Sequence, residues 1–138
     1  ARNSAIAVTQ VPCPLLVSLI EEGLSHRPET KRLLRQYVRP LKGARVDTLA
    51  LGCTHYPMLL DEFRGVMGSS CLVPDPAAIV AEKLADYLNR HGEIAVALTR
   101  GQAHRWTVTD TTERFADLAR RWLGAPVALE PVVIERSG

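Results

Sequence analysis

The chain has 138 residues, of which 46% are hydrophobic, 23% charged and 5% aromatic. A chain of this size can bury one hydrophobic core but not two full domains. Seventeen Lys and Arg residues against fifteen Asp and Glu residues leave a formal net charge of +2. This charge is too small for a typical nucleic-acid-binding module or for a charged disordered tail.

The sequence shows no signal for a membrane or for secretion. No stretch reaches about eighteen uninterrupted apolar residues, and the N-terminus lacks a basic, apolar, small-residue pattern. The three cysteines, Cys13, Cys53 and Cys71, include no C-x-x-C pair, which argues against a disulfide framework and against a cysteine-rich zinc site. We therefore expect free thiols in a cytoplasmic protein without a membrane partner.

Most of the positive charge lies in the first third of the chain. Residues 1–45 hold eight basic and three acidic residues, whereas residues 46–138 hold nine and twelve. Four of the bases recur at i, i+4 spacing on one predicted helix: Arg27, Lys31, Arg35 and Arg39. No aromatic side chains alternate with them, so a solvated helix face is favoured over a nucleic-acid patch.

The first half of the chain predicts an alternation of strands and helices. Ala5 to Val11 alternates apolar and small polar residues, as a short strand does. A short helix from Pro14 to Gly23 and a second one from about Pro28 to Arg39 follow. The apolar run from Val46 to Leu51 predicts a buried strand.

The next segments continue this alternation. Pro57 can begin a helix, Cys71 to Val73 is a short strand candidate, and Pro76 begins a helix that runs to about His91. Ile94 to Leu98 and Trp106 to Val108 are two further strand candidates.

The last helix has the clearest boundaries. Asp110 with Glu113 resembles a capping box at its start, and Gly124 ends it. Val127 to Ile134 predicts a final strand, in which Pro131 favours an edge position or a bulge. The whole order predicts an α/β protein with a mostly parallel sheet flanked by helices.

Cys53 lies where a predicted strand, a turn and a helix meet. In α/β sheets the ligand crevice forms at the carboxyl ends of the strands. A thiol near a helix N-terminus has a lowered pKa, which makes it a usable base or nucleophile. Beside it, the Thr54 hydroxyl can hold a substrate carboxylate, and His55 can stabilise a thiolate or pass a proton.

Each of these residues also has a purely structural interpretation. Cys53 can be a small buried hydrophobic residue, Thr54 a helix cap, and His55 a hydrogen-bonded structural histidine. For Cys13 and Cys71 we favour packing roles. A metal site formed by Cys53 and His55 is disfavoured because the sequence signals no third ligand nearby.

Three segments together resemble a known family. The run from Asp47 to Pro57, DTLALGCTHYP, resembles the second active-site motif of glutamate racemases. Cys13 to Gly23 resembles the family's CPLxVxLxEEG helix, with Ser18 where a proline is common. Thr107 to Gly124 resembles its C-terminal segment, so that the resemblance extends from about Val8 to Glu135.

The resemblance implies a cofactor-independent isomerase that interconverts L- and D-glutamate and supplies D-glutamate for peptidoglycan, and so for cell wall biogenesis and cell shape. In this family two cysteines face opposite sides of the substrate α-carbon. By match, Cys53 is one catalytic acid/base, Thr54 and His55 bind substrate, and His55 and Glu21 also assist proton transfer. A solvent-facing charge at a helix C-terminus is the alternative for Glu21. No lysine lies in the matched motifs to hold pyridoxal phosphate, and no metal is expected.

Family members consist of two similar α/β lobes, and this chain shows none of the first-lobe motifs. The resemblance is therefore to the C-terminal half of a two-lobed, pseudo-symmetric racemase fold. Residues 1–80 correspond to the later part of the second lobe, and residues 81–138 to a segment that returns to pack on the first lobe. This implies glutamate as substrate, the missing N-terminal half as partner, and little activity alone, with homodimer formation left open.

Two other classes of function stay open from the sequence. Some glutamate racemases bind and inhibit DNA gyrase, so the basic helix from Arg27 to Arg39 could serve a non-catalytic binding module of that kind. A cysteine hydrolase with Cys53 as nucleophile and His55 as base is less favoured. Its turn lacks the second glycine of a nucleophile elbow, and the sequence signals no acid that would orient the histidine.

Overall fold

The computed structural model describes residues 6–99, 101 and 104–134. The chain divides into two compact units, Ala1–Arg90 and His91–Gly138. This boundary lies at the end of a helix, ten residues beyond the division predicted at residue 80. The predicted division concerns the lobes of a longer protein, and it stays a prediction.

Helices dominate the first unit. They are α1 (Leu16–Glu21), α2 (Pro28–Gly43), a short 3-10 helix (Tyr56–Leu59), α3 (Leu60–Met67) and α4 (Pro76–Arg90). Prolines lie in the first turn of α2, of the 3-10 helix and of α4, as the sequence predicts. At these positions the missing N–H of proline removes no helical hydrogen bond, and the fixed φ angle of proline already suits the helix.

The core of the first unit forms where α1, α2 and α3 pack together. It consists of the buried apolar faces of these helices with a few flanking residues, among them Leu16, Ile20, Leu34, Val38, Leu59, Phe63 and Met67. The one buried polar residue among the described positions is Thr30, whose hydroxyl donates to the carbonyl of Leu24 at 2.7 Å. The buried hydroxyl is thus paired, which avoids the cost of an unsatisfied polar group.

The predicted strands of this unit are mostly absent. The run from Val46 to Leu51 forms only an isolated parallel bridge, with Thr48 opposite Leu72. The strand predicted from Ala5 to Val11 is wrong for its described part, since residues 6–11 form no strand. A strand needs a neighbour that accepts and donates its hydrogen bonds, and sequence pattern alone does not supply one.

The predicted helix after Pro76 is confirmed, but its apolar stripe is not buried. Val80, Leu84 and Tyr87 recur at helical spacing, and each is 42–66% exposed. Among the described residues, no helix is long and apolar enough to cross a membrane.

The second unit contains α5 (Gly92–Ala97), β1 (Trp106–Val108), α6 (Glu113–Leu123) and β2 (Leu129–Pro131). β1 and β2 pair in parallel, with Trp106 opposite Leu129 and Val108 opposite Pro131. The predicted final strand is thus confirmed only over its central residues. Pro131 is the last residue of β2 and lies in a two-stranded sheet, where each strand has a free edge.

Both ends of α6 follow from local chemistry. The Thr112 hydroxyl accepts from the N–H of Phe115 at 3.1 Å, so Thr112 rather than the predicted Asp110 is the N-cap. At the other end Gly124 has φ +68°, a left-handed conformation that favours glycine, and it ends the helix as predicted.

The strand predicted from Ile94 to Leu98 is also wrong, because these residues lie in or next to α5. The carbonyl of His91 accepts from the N–H groups of Ile94 and Ala95 at 3.0 and 3.1 Å. A short apolar run does not distinguish a strand from a helix, and here the alanines favour the helix. The α/β class is nevertheless confirmed, because the helices occur together with parallel pairing of short extended segments.

We expect Phe63→Ala to lower the free energy of unfolding by about 3–5 kcal/mol, because the ring is 2% exposed and its removal leaves a cavity. Leu84→Ala, at a helix position that is 55% exposed, is the control and should change it by less than about 1 kcal/mol. Chemical denaturation followed by circular dichroism measures both. Equal effects of the two substitutions would contradict the assigned core.

Candidate active site

Cys53 lies in a turn that leads from the Thr48 bridge into the 3-10 helix. The N–H of Tyr56 donates to the carbonyl of Cys53 at 3.2 Å, and the N–H of Met58 to that of His55 at 3.0 Å. These two backbone hydrogen bonds hold the turn in a compact conformation. The Cys53 thiol is half-buried and free, so a small molecule can reach it.

The His55 ring joins three predicted site residues. Its Nδ1 atom lies 3.9 Å from the Cys53 sulfur and 3.4 Å from the Thr54 hydroxyl. On the opposite side of the ring, Nε2 lies 3.2 Å from a carboxylate oxygen of Glu21. The structure therefore brings together Cys53, Thr54, His55 and Glu21, the four residues that the sequence singles out.

The Glu21 carboxylate determines which ring nitrogen carries the proton in neutral His55. A carboxylate only accepts, so Nε2 must donate to it, and the lone pair of Nδ1 is then directed at the Cys53 and Thr54 side. That lone pair can accept the proton of the Cys53 thiol. In the protonated form, the same ring can stabilise the Cys53 thiolate.

Glu21 is the last residue of α1, where a negative charge interacts unfavourably with the helix dipole. Its side chain is 47% exposed, as the solvent-facing alternative expects. The pairing with His55, which is 28% exposed, gives the carboxylate a partner that the sequence did not reveal. Geometry thus supports a role beside His55, although the catalytic role itself stays a prediction.

Tyr56 is a supporting residue that the sequence reasoning missed. Its hydroxyl donates to the carbonyl of Cys13 at 3.3 Å, and its ring centre lies 6.0 Å from that of Phe63. Burial raises the pKa of Tyr56, and the nearby Cys13 and Cys53 thiols raise it further. The phenol therefore stays neutral and ties the Cys53 turn to the segment before α1. An aromatic residue next to a candidate site histidine is the signal that could have found it.

The other two thiols lie in the core, as their predicted packing roles require. Cys13 and Cys71 are each 8% exposed, and each lies 3.7 Å from a backbone carbonyl. Burial raises the pKa of both thiols. Within the part of the chain that the structure describes, no group of three or more His, Cys, Asp and Glu side chains could hold a metal ion.

The three thiols should therefore differ in reactivity. At pH 7.5 we expect iodoacetamide to alkylate Cys53 at least about tenfold faster than Cys13 or Cys71, because only Cys53 is accessible in the folded chain. Mass spectrometry of tryptic peptides after timed quenching gives the three rates. In denaturant the difference should disappear, and its persistence there would contradict burial as the cause.

Comparison with curated proteins finds glutamate racemases. The chain is 41% identical over 116 residues to one from Roseiflexus sp. (strain RS-1), covering 84% of this chain and 43% of that protein. It is 35% identical over 122 residues to one from Chlorobaculum parvum, and the match covers 88% of this chain and 44% of that protein. A comparison with protein-family profiles finds no match. The chain thus spans less than half the length of the curated relatives that it matches.

Solved structures give the same result for the fold. A glutamate racemase from Francisella tularensis, in complex with D-glutamate, matches with a TM-score of 0.80 and 26% identity over 95% of this chain and 49% of its own. One from Thermus thermophilus matches with a TM-score of 0.71 and 33% identity, over 87% of this chain and 45% of its own. The chain is thus related by both sequence and fold to glutamate racemases, and it corresponds to the C-terminal half of one.

Proposed function

We propose that this chain supplies one of the two acid/base groups of a cofactor-independent glutamate racemase. The observation that carries the proposal is the row of side chains from Cys53 through His55 to Glu21, found within the motifs that resemble the family. The group that acts on the substrate α-carbon is the Cys53 sulfur, because it is the accessible one of three free thiols.

Inversion at a carbon atom requires a proton to leave one face and another to arrive at the opposite face. One fixed acid/base cannot reach both faces, so a second group is needed. Cys13 and Cys71 are poor candidates, because both are buried and burial raises the pKa of each thiol. The second thiol is therefore expected from the part of a racemase that this chain does not match.

In this proposal His55 stabilises the deprotonated form of Cys53. Before the transfer, the protonated His55 ring offsets the negative charge of the Cys53 thiolate, and Glu21 keeps that ring oriented. The thiolate then removes the α-proton of the substrate. The exposed Thr54 hydroxyl, 3.4 Å from the His55 ring, is available to a substrate carboxylate. In this proposal the acid/base groups are all protein side chains, so the proton transfer uses no cofactor.

We infer the substrate and the cellular role from the resemblance to glutamate racemases. The Francisella racemase holds D-glutamate in its structure, and we propose L- and D-glutamate as the substrates here. The product would serve peptidoglycan synthesis in the cytoplasm. Because the chain spans 41–46% of its curated relatives, we propose that alone it racemises little or nothing and that the N-terminal half of a racemase is its partner.

One observation favours a second candidate, the cysteine hydrolase. The sequence signals no acid next to His55, and the Glu21 carboxylate lies 3.2 Å from its Nε2 atom, which is the distance an orienting acid would need. Cysteine, histidine and acid then follow in the order that nucleophilic catalysis uses. We still prefer the racemase, because the matched relatives carry that name and the turn lacks a nucleophile elbow. The gyrase-binding alternative rests only on the basic segment from Arg27 to Arg39, in which Lys31 is partly buried.

The first test measures exchange of the α-proton of L- and D-glutamate in deuterated water. The chain is combined with the segment of the Roseiflexus racemase outside the 116 matched residues, and then replaced by its Cys53→Ala variant. We expect the inversion rate to fall at least about a hundredfold in both directions, the lower end of what a positioned acid/base contributes.

Cys71→Ala serves as the matched control, because it removes a thiol that is buried outside the proposed site. Its inversion rate should equal that of the unsubstituted chain within about twofold. Undiminished inversion by the Cys53→Ala variant would contradict the assignment of Cys53. Full turnover by the chain alone would contradict its incompleteness, and an acyl adduct on Cys53 after incubation with ester substrates would favour the hydrolase.

The second test separates orientation from charge at Glu21. In the same reconstituted assay, Glu21→Gln keeps an oxygen that accepts from His55, whereas Glu21→Ala removes it. We expect the alanine variant to lower kcat by roughly ten- to a hundredfold with little change in KM, and the glutamine variant to lower it less. A change confined to KM would show instead that Glu21 binds substrate.

A further inference from the structure

A surface cavity of about 650 Å³ lies beside the end of α3 in the first unit. This volume is within the range of small-molecule sites in proteins. The residues of its wall that bear on a ligand are Asp47, Arg64, Gly65, Ser69, Ser70 and Leu72. The four residues of the candidate active site do not line it, so the cavity is a separate place in the molecule.

The cavity contains a cation and an anion that do not pair with each other. The Nε atom of Arg64 donates to the carbonyl of Val73 at 3.2 Å, and the two terminal nitrogens of the guanidinium bond to no described residue. Neither Arg64 nor Asp47 forms an ion pair within the part of the chain that the structure describes. Both charges are therefore available to a ligand.

The Asp47 carboxylate is held close to the cavity wall. The backbone of Asp47 is fixed, because its carbonyl accepts from the N–H of Leu72 at 2.7 Å. Burial raises the pKa of the Cys71 thiol in the same wall, and the negative charge of Asp47 raises it further. A short side chain on a fixed backbone moves little, so the carboxylate stays at the cavity.

Gly65 leaves the cavity open. It lies inside α3, where glycine is the least favourable residue after proline. A Cβ atom at this position would meet no other heavy atom within 4 Å, so close packing does not explain the glycine. Because Gly65 lines the cavity, a larger side chain here would occupy part of the space that a ligand needs.

We propose that this cavity binds the zwitterion of a free amino acid with an aliphatic side chain. The carboxylate of the amino acid pairs with Arg64 and accepts from the hydroxyls of Ser69 and Ser70, which bond to no described residue. The ammonium group pairs with Asp47. The aliphatic side chain covers Leu72, an apolar wall residue that is 64% exposed.

A ligand with a single charge fits this cavity less well. An anion would pair with Arg64 but would be repelled by Asp47, and an amine would pair with Asp47 but would be repelled by Arg64. A zwitterion satisfies both groups with charge-assisted hydrogen bonds. The argument uses only the residues of the cavity, so it does not depend on the proposed racemase reaction.

Titration of the chain with L-leucine, followed by NMR of the backbone amides, tests the proposal. We expect the amides of Ser69, Ser70 and Leu72 to shift saturably, with a Kd of about 1 mM or tighter. Isocaproate is leucine without the amino group, and isopentylamine is leucine without the carboxylate. Each lacks one of the two charge pairs and should bind at least about tenfold more weakly than leucine.

Three variants locate the site. Asp47→Asn keeps the size of the side chain but removes its charge, so it should weaken leucine binding at least about tenfold. Gly65→Leu suits a helix and fills the cavity, so it should abolish binding. Gly43→Leu is the matched control, because it also places a side chain in open space at a helical glycine but does not line the cavity. It should bind leucine as the unsubstituted chain does, and circular dichroism checks that all three variants fold.

Several outcomes would overturn the proposal. These are the absence of saturable shifts, equal affinity for leucine and either analogue, and unimpaired binding by the folded Gly65→Leu or Asp47→Asn variant. Shifts confined to Thr54 and His55 would place leucine at the candidate active site and would overturn it as well. No step measures inversion of glutamate, so failure here leaves the proposed function standing, and failure of the racemase leaves this site standing.

Discussion

The packing of α2 against α1 and α3 is the interaction on which the remaining features of the first unit depend. Phe63 belongs to the core that these helices form and is almost fully buried. Glu21 follows the buried Ile20 at the end of α1, and His55 immediately precedes the 3-10 helix that leads into α3. The two residues can meet only because the core holds these elements together. The 3.2 Å separation of Glu21 and His55 is therefore a consequence of packing.

The same core explains why one thiol is suited to chemistry and two are not. A thiol inside the core is shielded from water, and burial raises the pKa of Cys13 and Cys71 accordingly. Cys53 lies on the rim, where it stays accessible and where a histidine can compensate the charge of a thiolate. A site on the rim has little to exclude water, however. Proton transfer from a weakly acidic carbon benefits from a closed, dry environment.

What the sequence could predict depended on how local the determining interactions were. The starts of α2 and α4 at Pro28 and Pro76 and the end of α6 at Gly124 depend on the chemistry of a few neighbouring residues, and all were predicted. The helical run that replaces the strand at Ile94 shows the limit, because a short apolar segment fits both structures. The resemblance assigned Glu21 and His55 to one site, but residue spacing did not predict their direct contact, since nothing in the spacing of two distant residues indicates that a core will bring them together.

The missed strands have a different cause. The runs at residues 6–11 and 46–51 both have strand-like sequences, yet one is irregular and the other forms a single bridge. A strand's stability comes from its neighbours, so a correct pattern produces no strand where a neighbour is lacking. Both predictions fail for this one reason, because an alternating pattern describes the side chains of a strand and not the segment that must pair with it.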